Sequence, residues 1–172
     1  LLVSILGLLW TVVIAFQFDF TFAGSQFQER LPWLETLGLQ YQVGTDGLSF
    51  PLVVLNNLLT CIAIYSSDQT IERPRFYYSL LLLLNFGVVG AFLSENLLLF
   101  FLFYEIELIP LYLLIAIWGG ARRGYAATKF LIYTAVSGIA ILGSFLGLIW
   151  LSGADSFAFQ PDLAKSLSLT PQ

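Results

Sequence analysis

Two glutamates, Glu105 and Glu107, lie inside a long apolar stretch of the sequence. A carboxylate at the centre of a membrane-spanning helix costs about 3 kcal/mol to insert, so such residues usually face a protein interior and serve a function. The chemistry open to a carboxylate there is proton relay or cation binding. Glu105 is the stronger candidate, because it lies near the middle of the predicted helix 97–118. The alternative is a structural polar contact between helices.

Glu107 is not expected to share a site with Glu105. A helix turns by about 100° per residue, so side chains two positions apart point about 200° away from each other. Each glutamate therefore needs its own partner or stays protonated. For Glu107, a place on a proton path and a purely structural contact both remain open.

Pro110 and Tyr112 follow on the same predicted helix. Proline has no backbone N–H, so the carbonyl of Ile106 loses a helical hydrogen bond and becomes free to orient water or a side chain. A simple packing kink is the other interpretation. Tyr112 lies seven residues after Glu105, on the same helix face, where its hydroxyl can donate to that carboxylate.

Lys129 lies a few residues into the last predicted helix. Its ammonium belongs to a proton path or snorkels to the membrane interface. A polar stripe extends from it, which either lines a hydrated path or hydrogen-bonds between helices. The stripe consists of Thr128, Tyr133, Thr134 and Ser137. Two pairs of glycines, at 87 and 90 and at 143 and 147, predict close helix packing.

The elements that position these residues are predicted membrane helices. Hydrophobic residues make up 58% of the chain and charged residues only 10%, against about 25% charged in soluble domains. A helix needs roughly 20 apolar residues to cross a hydrocarbon core of about 30 Å. The sequence predicts five such helices and a polar tail, and the polar triplet 94–96 separates the third from the fourth. The spans are about 1–18, 48–65, 76–93, 97–118 and 125–151, and the tail is 152–172.

The loop 19–46 carries a different pattern. Leu37, Leu39, Tyr41 and Val43 alternate with glycine and glutamine, which predicts a short strand or hairpin at the membrane surface. Asp46, just before the second span, is a predicted helix N-cap.

The basic residues sort the loops by side. Five of them lie in the loops 67–75 and 119–124 and at the start of the fifth span, and two lie in the remaining loops and tail. By the positive-inside rule, we expect the loops 67–75 and 119–124 on the cytoplasm-like side of the membrane.

Composition excludes several other classes of site. Histidine is absent and Cys61 is alone, so a disulfide or a cysteine–histidine metal cluster is not expected. The net charge of −4 excludes nucleic acid as an expected partner and leaves the lipid bilayer. Leu1 lies inside an apolar run and the chain has no methionine, so we expect a fragment of a longer protein.

Three motifs carry a resemblance to a known family. They are FYEIELIP within the stretch 92–120, AATKFLIYT at 126–134 and VGTDGLS at 43–49. Together they resemble the antiporter-like subunit 4, or subunit M, of respiratory complex I. Within that family they look like the D-subunit form found in cyanobacterial and plastid NAD(P)H dehydrogenase. The resemblance covers nearly the whole chain, and the motifs occur in the family's order.

The resemblance implies an all-α polytopic membrane protein. Members of the family have about fourteen spanning helices, built on two inverted five-helix repeats, so this chain would supply roughly the second to sixth. Glu105 matches the family's essential glutamate of the fifth helix, which pairs with a lysine of the seventh helix. We expect that lysine beyond Gln172. Lys129 matches the Thr-Lys-Phe motif and is not that partner, and Glu107 is not general to the family.

The resulting hypothesis is a proton-translocating subunit of an NAD(P)H- or ferredoxin-dependent quinone or plastoquinone oxidoreductase in a thylakoid membrane. The resemblance implies that iron–sulfur clusters, quinone and the electron donor bind in partner subunits, with no cofactor in this chain. Its expected neighbours are other membrane subunits, including further antiporter-like ones. Two alternatives stay open: a subunit of a multi-subunit cation/proton antiporter, and a non-conducting scaffold.

Overall fold

The structure, a computed structural model, describes residues 1–22, 24–34, 39–68, 70–152 and 157–158. Within them, five helices and a two-stranded hairpin confirm the predicted fold. The elements are α1 (Leu2–Ala15), β1 (Gln26–Leu34), β2 (Leu39–Thr45), α2 (Ser49–Tyr65), α3 (Pro74–Leu93), α4 (Leu97–Trp118) and α5 (Arg123–Ser152). Helices α3, α4 and α5 are long and apolar enough to cross a membrane, whereas α1 and α2 are shorter apolar helices. Leu37 and nearly all of the tail 152–172 lie outside the described residues.

The first helix is shorter than its predicted span. It ends at Ala15, although the apolar pattern continues to Phe18. Phe18 is buried, and its ring stacks on that of Phe50 in α2 with centroids 4.7 Å apart. The apolar residues after α1 therefore pack on the start of α2 and do not extend the helix.

The break between α3 and α4 falls at the predicted polar triplet. Ser94 leaves the helical conformation, and Asn96 caps α4 by accepting hydrogen bonds from the amides of Leu98 and Leu99 at 3.0 and 3.2 Å. Asn96 is only 1% exposed. A buried asparagine cap satisfies helix-end amides that would otherwise be costly to leave in an apolar environment.

The hairpin packs on this break. Strands β1 and β2 are antiparallel, with Glu29 opposite Val43 and Leu31 opposite Tyr41. Val43 also forms an isolated bridge with Ser94. The hairpin thus closes over the junction where α3 turns into α4.

Asp46 organises the start of α2, although the N-cap position itself is Leu48. Its carboxylate accepts hydrogen bonds from the amides of Leu48 and Ser49 at 3.0 and 2.7 Å. The Ser49 amide, the strongest of these influences, holds the pKa of the Asp46 carboxyl below its ordinary value.

Helices adjacent in sequence pack against each other, so α4 lies between α3 and α5. Gly87 and Gly90 allow the predicted close approach of α3 to α4, because a methyl group at either would meet α4 atoms. No described residue lies within 4 Å of a methyl group placed at Gly143 or Gly147, so the packing predicted for this pair stays a prediction. Large apolar side chains such as Trp10 and Trp150, 68% and 84% exposed, leave wide surfaces for lipid or other helices.

Candidate functional site

Helix α4 directs its two glutamates to different neighbours, as their spacing predicts. The carboxylate of Glu105 lies against Gly138 of α5. The backbone amide and Cβ of Glu107 lie against Gly87 of α3. Each glutamate therefore occupies its own helix interface, and the two do not form one acidic pair.

Glu105 is half-buried and sits in an unusually tight place. A methyl carbon at position 138 would overlap its Oε1 atom and approach its Cδ atom to 3.2 Å. Gly138 itself is buried. Among the described residues, no side chain donates a hydrogen bond to the Glu105 carboxylate. Steric contact with α5 therefore positions the carboxylate, and its oxygens accept no hydrogen bond from a described side chain.

Glu107 occupies the interface on the other side of the helix. Its Cβ and amide nitrogen would lie 3.1 and 3.3 Å from a methyl carbon placed on Gly87. This is a backbone approach between α3 and α4, and Glu107 is half-buried beside it. The geometry makes Glu107 part of helix packing.

Pro110 is fully buried inside α4, and the helix continues past it to Trp118. Because the proline nitrogen carries no hydrogen, the carbonyl of Ile106 lacks its usual helical donor. That carbonyl belongs to the residue between the two glutamates. The freed acceptor therefore lies at the level of Glu105 and Glu107 along the helix.

Neither Tyr112 nor Lys129 forms a hydrogen bond or ion pair with Glu105 in the described part of the chain. Lys129 is exposed, with its Nζ atom 5.9 Å from the ring centroid of Tyr125 and 5.8 Å from that of Tyr133. It precedes Gly138 by nine residues, which places it about 13 Å away along α5 and on the opposite helix face.

Two hydroxyls of the predicted polar stripe are satisfied within α5. Thr128 donates to the carbonyl of Gly124 at 3.0 Å, and Thr134 donates to that of Phe130 at 2.5 Å. Such back-bonding occupies the hydroxyl proton within the same helix. Among the described residues, these two hydroxyls donate within α5 and not to a neighbouring helix.

A polar cluster surrounds Glu95, a residue whose position in the sequence indicates only a break between two helices. The Glu95 carboxylate accepts hydrogen bonds from Ser25, from Gln28 at 3.1 Å and from Gln42 at 3.0 Å. The Glu95 amide donates to the carbonyl of Gln42 at 2.9 Å. The cluster ties the hairpin to the junction of α3 and α4, beside a polar cavity of about 550 Å³. The one available signal was glutamines inside an alternating strand.

A second missed feature is an amide network among α1, α2 and α3. The Asn85 side chain accepts from Asn56 at 2.7 Å and from Thr60 at 2.9 Å, and donates to Asn57 at 3.0 Å. Asn57 in turn donates to Thr11 at 3.3 Å. Asparagine within an apolar helix is a signal for such a network, because polar side chains hydrogen-bond between helices in lipid.

Two family models together match almost the whole chain. Residues 1–94 match the amino terminus of NADH-ubiquinone oxidoreductase chain 4. Residues 94–167 match the transmembrane family described as NADH:quinone oxidoreductase/Mrp antiporter.

Among curated proteins, the chain is similar to NAD(P)H-quinone oxidoreductase chain 4 of Acaryochloris marina, with 44% identity over 91% of this chain and 29% of the relative. It is also 44% identical to a chain 4 protein of a Synechococcus strain, over 97% of this chain and 32% of the relative. The chain thus spans about a third of the length of these relatives.

A solved structure has the same fold. A chain of respiratory complex I from Thermus thermophilus with bound NADH superimposes with a TM-score of 0.71 at 25% identity. The match covers 95% of this chain and 37% of that chain. The family match over more than half of the sequence, together with this fold, shows that the chain belongs to the NADH-ubiquinone oxidoreductase chain 4 family of antiporter-like membrane subunits.

Proposed function

We propose that this chain is part of a proton-translocating membrane subunit of an NAD(P)H- or ferredoxin-dependent quinone oxidoreductase. In this proposal the electron donor, the iron–sulfur clusters and the quinone or plastoquinone bind in partner subunits. The neighbouring membrane subunits include further antiporter-like ones. The membrane is a thylakoid, in keeping with the cyanobacterial relatives.

The observation that carries the proposal is the state of Glu105. Its carboxylate is half-buried between α4 and α5, touches Gly138 and receives no hydrogen bond from the described residues. A structural carboxylate in a membrane helix is stabilised by partners that satisfy it. One that lacks them within this chain is available to exchange a proton with a group from elsewhere in the protein.

The mechanism is a charge-controlled proton switch. A lysine ammonium close to Glu105 favours the ionised carboxylate, and its withdrawal favours protonation. Redox chemistry in the partner subunits would move that ammonium, and Glu105 would take up and release one proton per cycle. The lysine is the one expected beyond Gln172 from the family resemblance.

Four other residues have supporting places in the proposed path. The carbonyl freed by Pro110 offers a water an acceptor between Glu105 and Glu107, and Glu107 extends the path toward α3. Tyr112 offers a hydroxyl on the Glu105 face. Lys129, flanked by tyrosine rings, lies toward the 119–124 loop and exchanges protons with the aqueous phase. The loops 67–75 and 119–124 face the cytoplasm or stroma in this proposal.

Glu105→Gln in the full-length protein, within its assembled complex, tests the proposal. We expect proton pumping per electron to fall at least about tenfold, since a general acid–base group typically contributes 10²–10⁴-fold. Pumping is measured by fluorescence quenching in sealed vesicles, with NAD(P)H or ferredoxin oxidation measured in parallel. Normal pumping in a normally assembled complex would overturn the proposal. A scaffold role predicts that this substitution affects assembly or nothing.

A second candidate is a subunit of a multi-subunit cation/proton antiporter. It is favoured by the family description that covers residues 94–167, which includes Mrp antiporters. The subunits that co-purify with the tagged full-length protein separate the two candidates. Iron–sulfur proteins among them support the redox complex, and their absence alongside sodium-dependent proton exchange supports the antiporter.

A further inference from the structure

Gly138 is the glycine of α5 whose lack of a side chain bears directly on Glu105. A methyl carbon there would have three close heavy atoms, and all three belong to the Glu105 carboxyl group: Oε1, Cδ at 3.2 Å and Oε2 at 3.8 Å. The space that an alanine would fill at this position is therefore the space that the carboxylate occupies.

Three other glycines of the membrane helices do not lie against a carboxylate. At Gly143 and Gly147, on the same helix, no atom of the described residues lies within 4 Å of an added methyl carbon. Gly87 faces the backbone and Cβ of α4, so its role is helix approach. Among these four glycines, only Gly138 lies against the carboxyl group of a glutamate, whereas Gly87 meets the Cβ and amide nitrogen of Glu107.

We propose that Gly138 is a positioning residue for Glu105, and this inference rests on the function proposed above. The missing side chain lets the carboxylate lie against the α5 backbone, at a depth and orientation set by the helix pair. A larger residue at 138 would rotate the carboxylate out of this space. The displaced atoms are the end of a flexible side chain, so the helices themselves need not move.

The effect on proton transfer follows from distance. A displacement of about 1 Å in a reacting group can reduce a rate by about 100-fold, because proton transfer needs donor and acceptor within hydrogen-bond reach. Gly138→Ala should therefore weaken pumping while the chain still folds and the redox reaction of the complex continues.

The experiment introduces Gly138→Ala into the full-length protein of the assembled complex. We expect proton pumping per electron to fall about tenfold or more, with wild-type subunit content. Gly143→Ala is the matched control on the same helix, because a methyl group there contacts none of the described residues, Glu105 included. It should pump as the wild type does.

A rescue variant separates positioning from general packing. Glu105→Asp shortens the side chain by one methylene, so its carboxylate no longer reaches the space beside position 138. The double variant with Glu105→Asp and Gly138→Ala should reduce proton pumping per electron by less than the product of the two single reductions, as expected for residues in contact. Independent effects, or an assembly defect of Gly138→Ala that Glu105→Asp does not relieve, would overturn the inference.

The two proposals fail in distinguishable ways. Normal pumping by Glu105→Gln would remove the proposed function and this inference with it. Loss of pumping by Glu105→Gln, together with wild-type pumping by Gly138→Ala, would remove only the positioning role of Gly138.

Discussion

Two glutamates ten residues apart, Glu95 and Glu105, stand in opposite situations. Both lie against a glycine, Gly44 for the first and Gly138 for the second. Glu95 lies at the hairpin and accepts three side-chain hydrogen bonds from it. Glu105 lies mid-helix and accepts none from the described residues.

The two carboxylates are therefore suited to different roles, one structural and one in reversible proton transfer. Glu95 is fixed by its donors, so removing it leaves polar groups such as the buried Gln42 amide without a partner. Glu105 is located mainly by steric fit, so a small change in its surroundings can alter its position or its proton. A carboxylate of the first kind stabilises the fold, and one of the second kind is suited to a reversible reaction.

Proton pumping should show the largest contrast between the two. Glu105→Gln is expected to remove most of the pumping per electron, whereas Glu95→Gln should leave that ratio unchanged, because the Glu95 carboxylate is hydrogen-bonded to the hairpin. Both variants are compared in the same vesicles after correction for complex content. Equal losses in the two would mean that the carboxylates do not differ in this way.

The contrast could be anticipated only in part from the sequence. The apolar stretches and their polar interruptions indicate the five helices, and the spacing of Glu105 and Glu107 indicates opposite faces, because both follow from local periodicity. The partners of Glu95 come from positions 25, 28 and 42, far away in sequence, and no local pattern determines such pairings.

The glycines show the same limit. The spacing of Gly143 and Gly147 is a helix-packing motif, yet an added methyl group at either contacts none of the described residues. Gly138 belongs to no such motif and makes the contact that matters for Glu105. Which glycine meets a neighbour depends on the rotation of α5 against α4, which a sequence motif on one helix does not specify.

The stability of the folded protein should depend on Glu95, in contrast to proton pumping, which should depend on Glu105. Glu95→Ala is expected to destabilise the hairpin and the α3–α4 junction by about 1–3 kcal/mol, the cost of leaving the buried Gln42 amide unsatisfied. Thermal unfolding of the purified complex and hydrogen exchange of β2 measure the effect. Glu29→Ala, an exposed glutamate of the same hairpin, is the control and should change stability by less than about 0.5 kcal/mol. A similar loss in both would mean that the Glu95 hydrogen bonds contribute little.

The amide network offers a smaller effect of the same kind inside the helices. Asn85→Ala removes hydrogen bonds to Asn56, Asn57 and Thr60. Each such bond in a membrane protein contributes about 0.6 kcal/mol on average, so a loss of about 1–2 kcal/mol is expected. A double-mutant cycle with Thr60→Val, read by thermal unfolding, should give a coupling of about 0.5 kcal/mol or more. Strict additivity would show that Asn85 and Thr60 act independently.

The smallest expected effect concerns Asp46, a carboxylate that is hydrogen-bonded like Glu95 but exposed. Asp46→Ala should weaken the start of α2 by about 1 kcal/mol, the typical value for a lost helix cap, seen as faster hydrogen exchange of the first turn. Asp46→Asn, which keeps an acceptor oxygen, should lose less.

The pH dependence of this effect has a definite sign. The Ser49 amide lowers the pKa of Asp46 in the folded protein, so the carboxylate contributes its full stabilisation above the ordinary value of about 3.9 and loses it as the pH falls through the lowered pKa. The difference between wild type and Asp46→Ala should therefore stay constant from about pH 8 to pH 5. A difference that shrinks within that range would mean that another titrating group, and not Asp46, controls the start of α2.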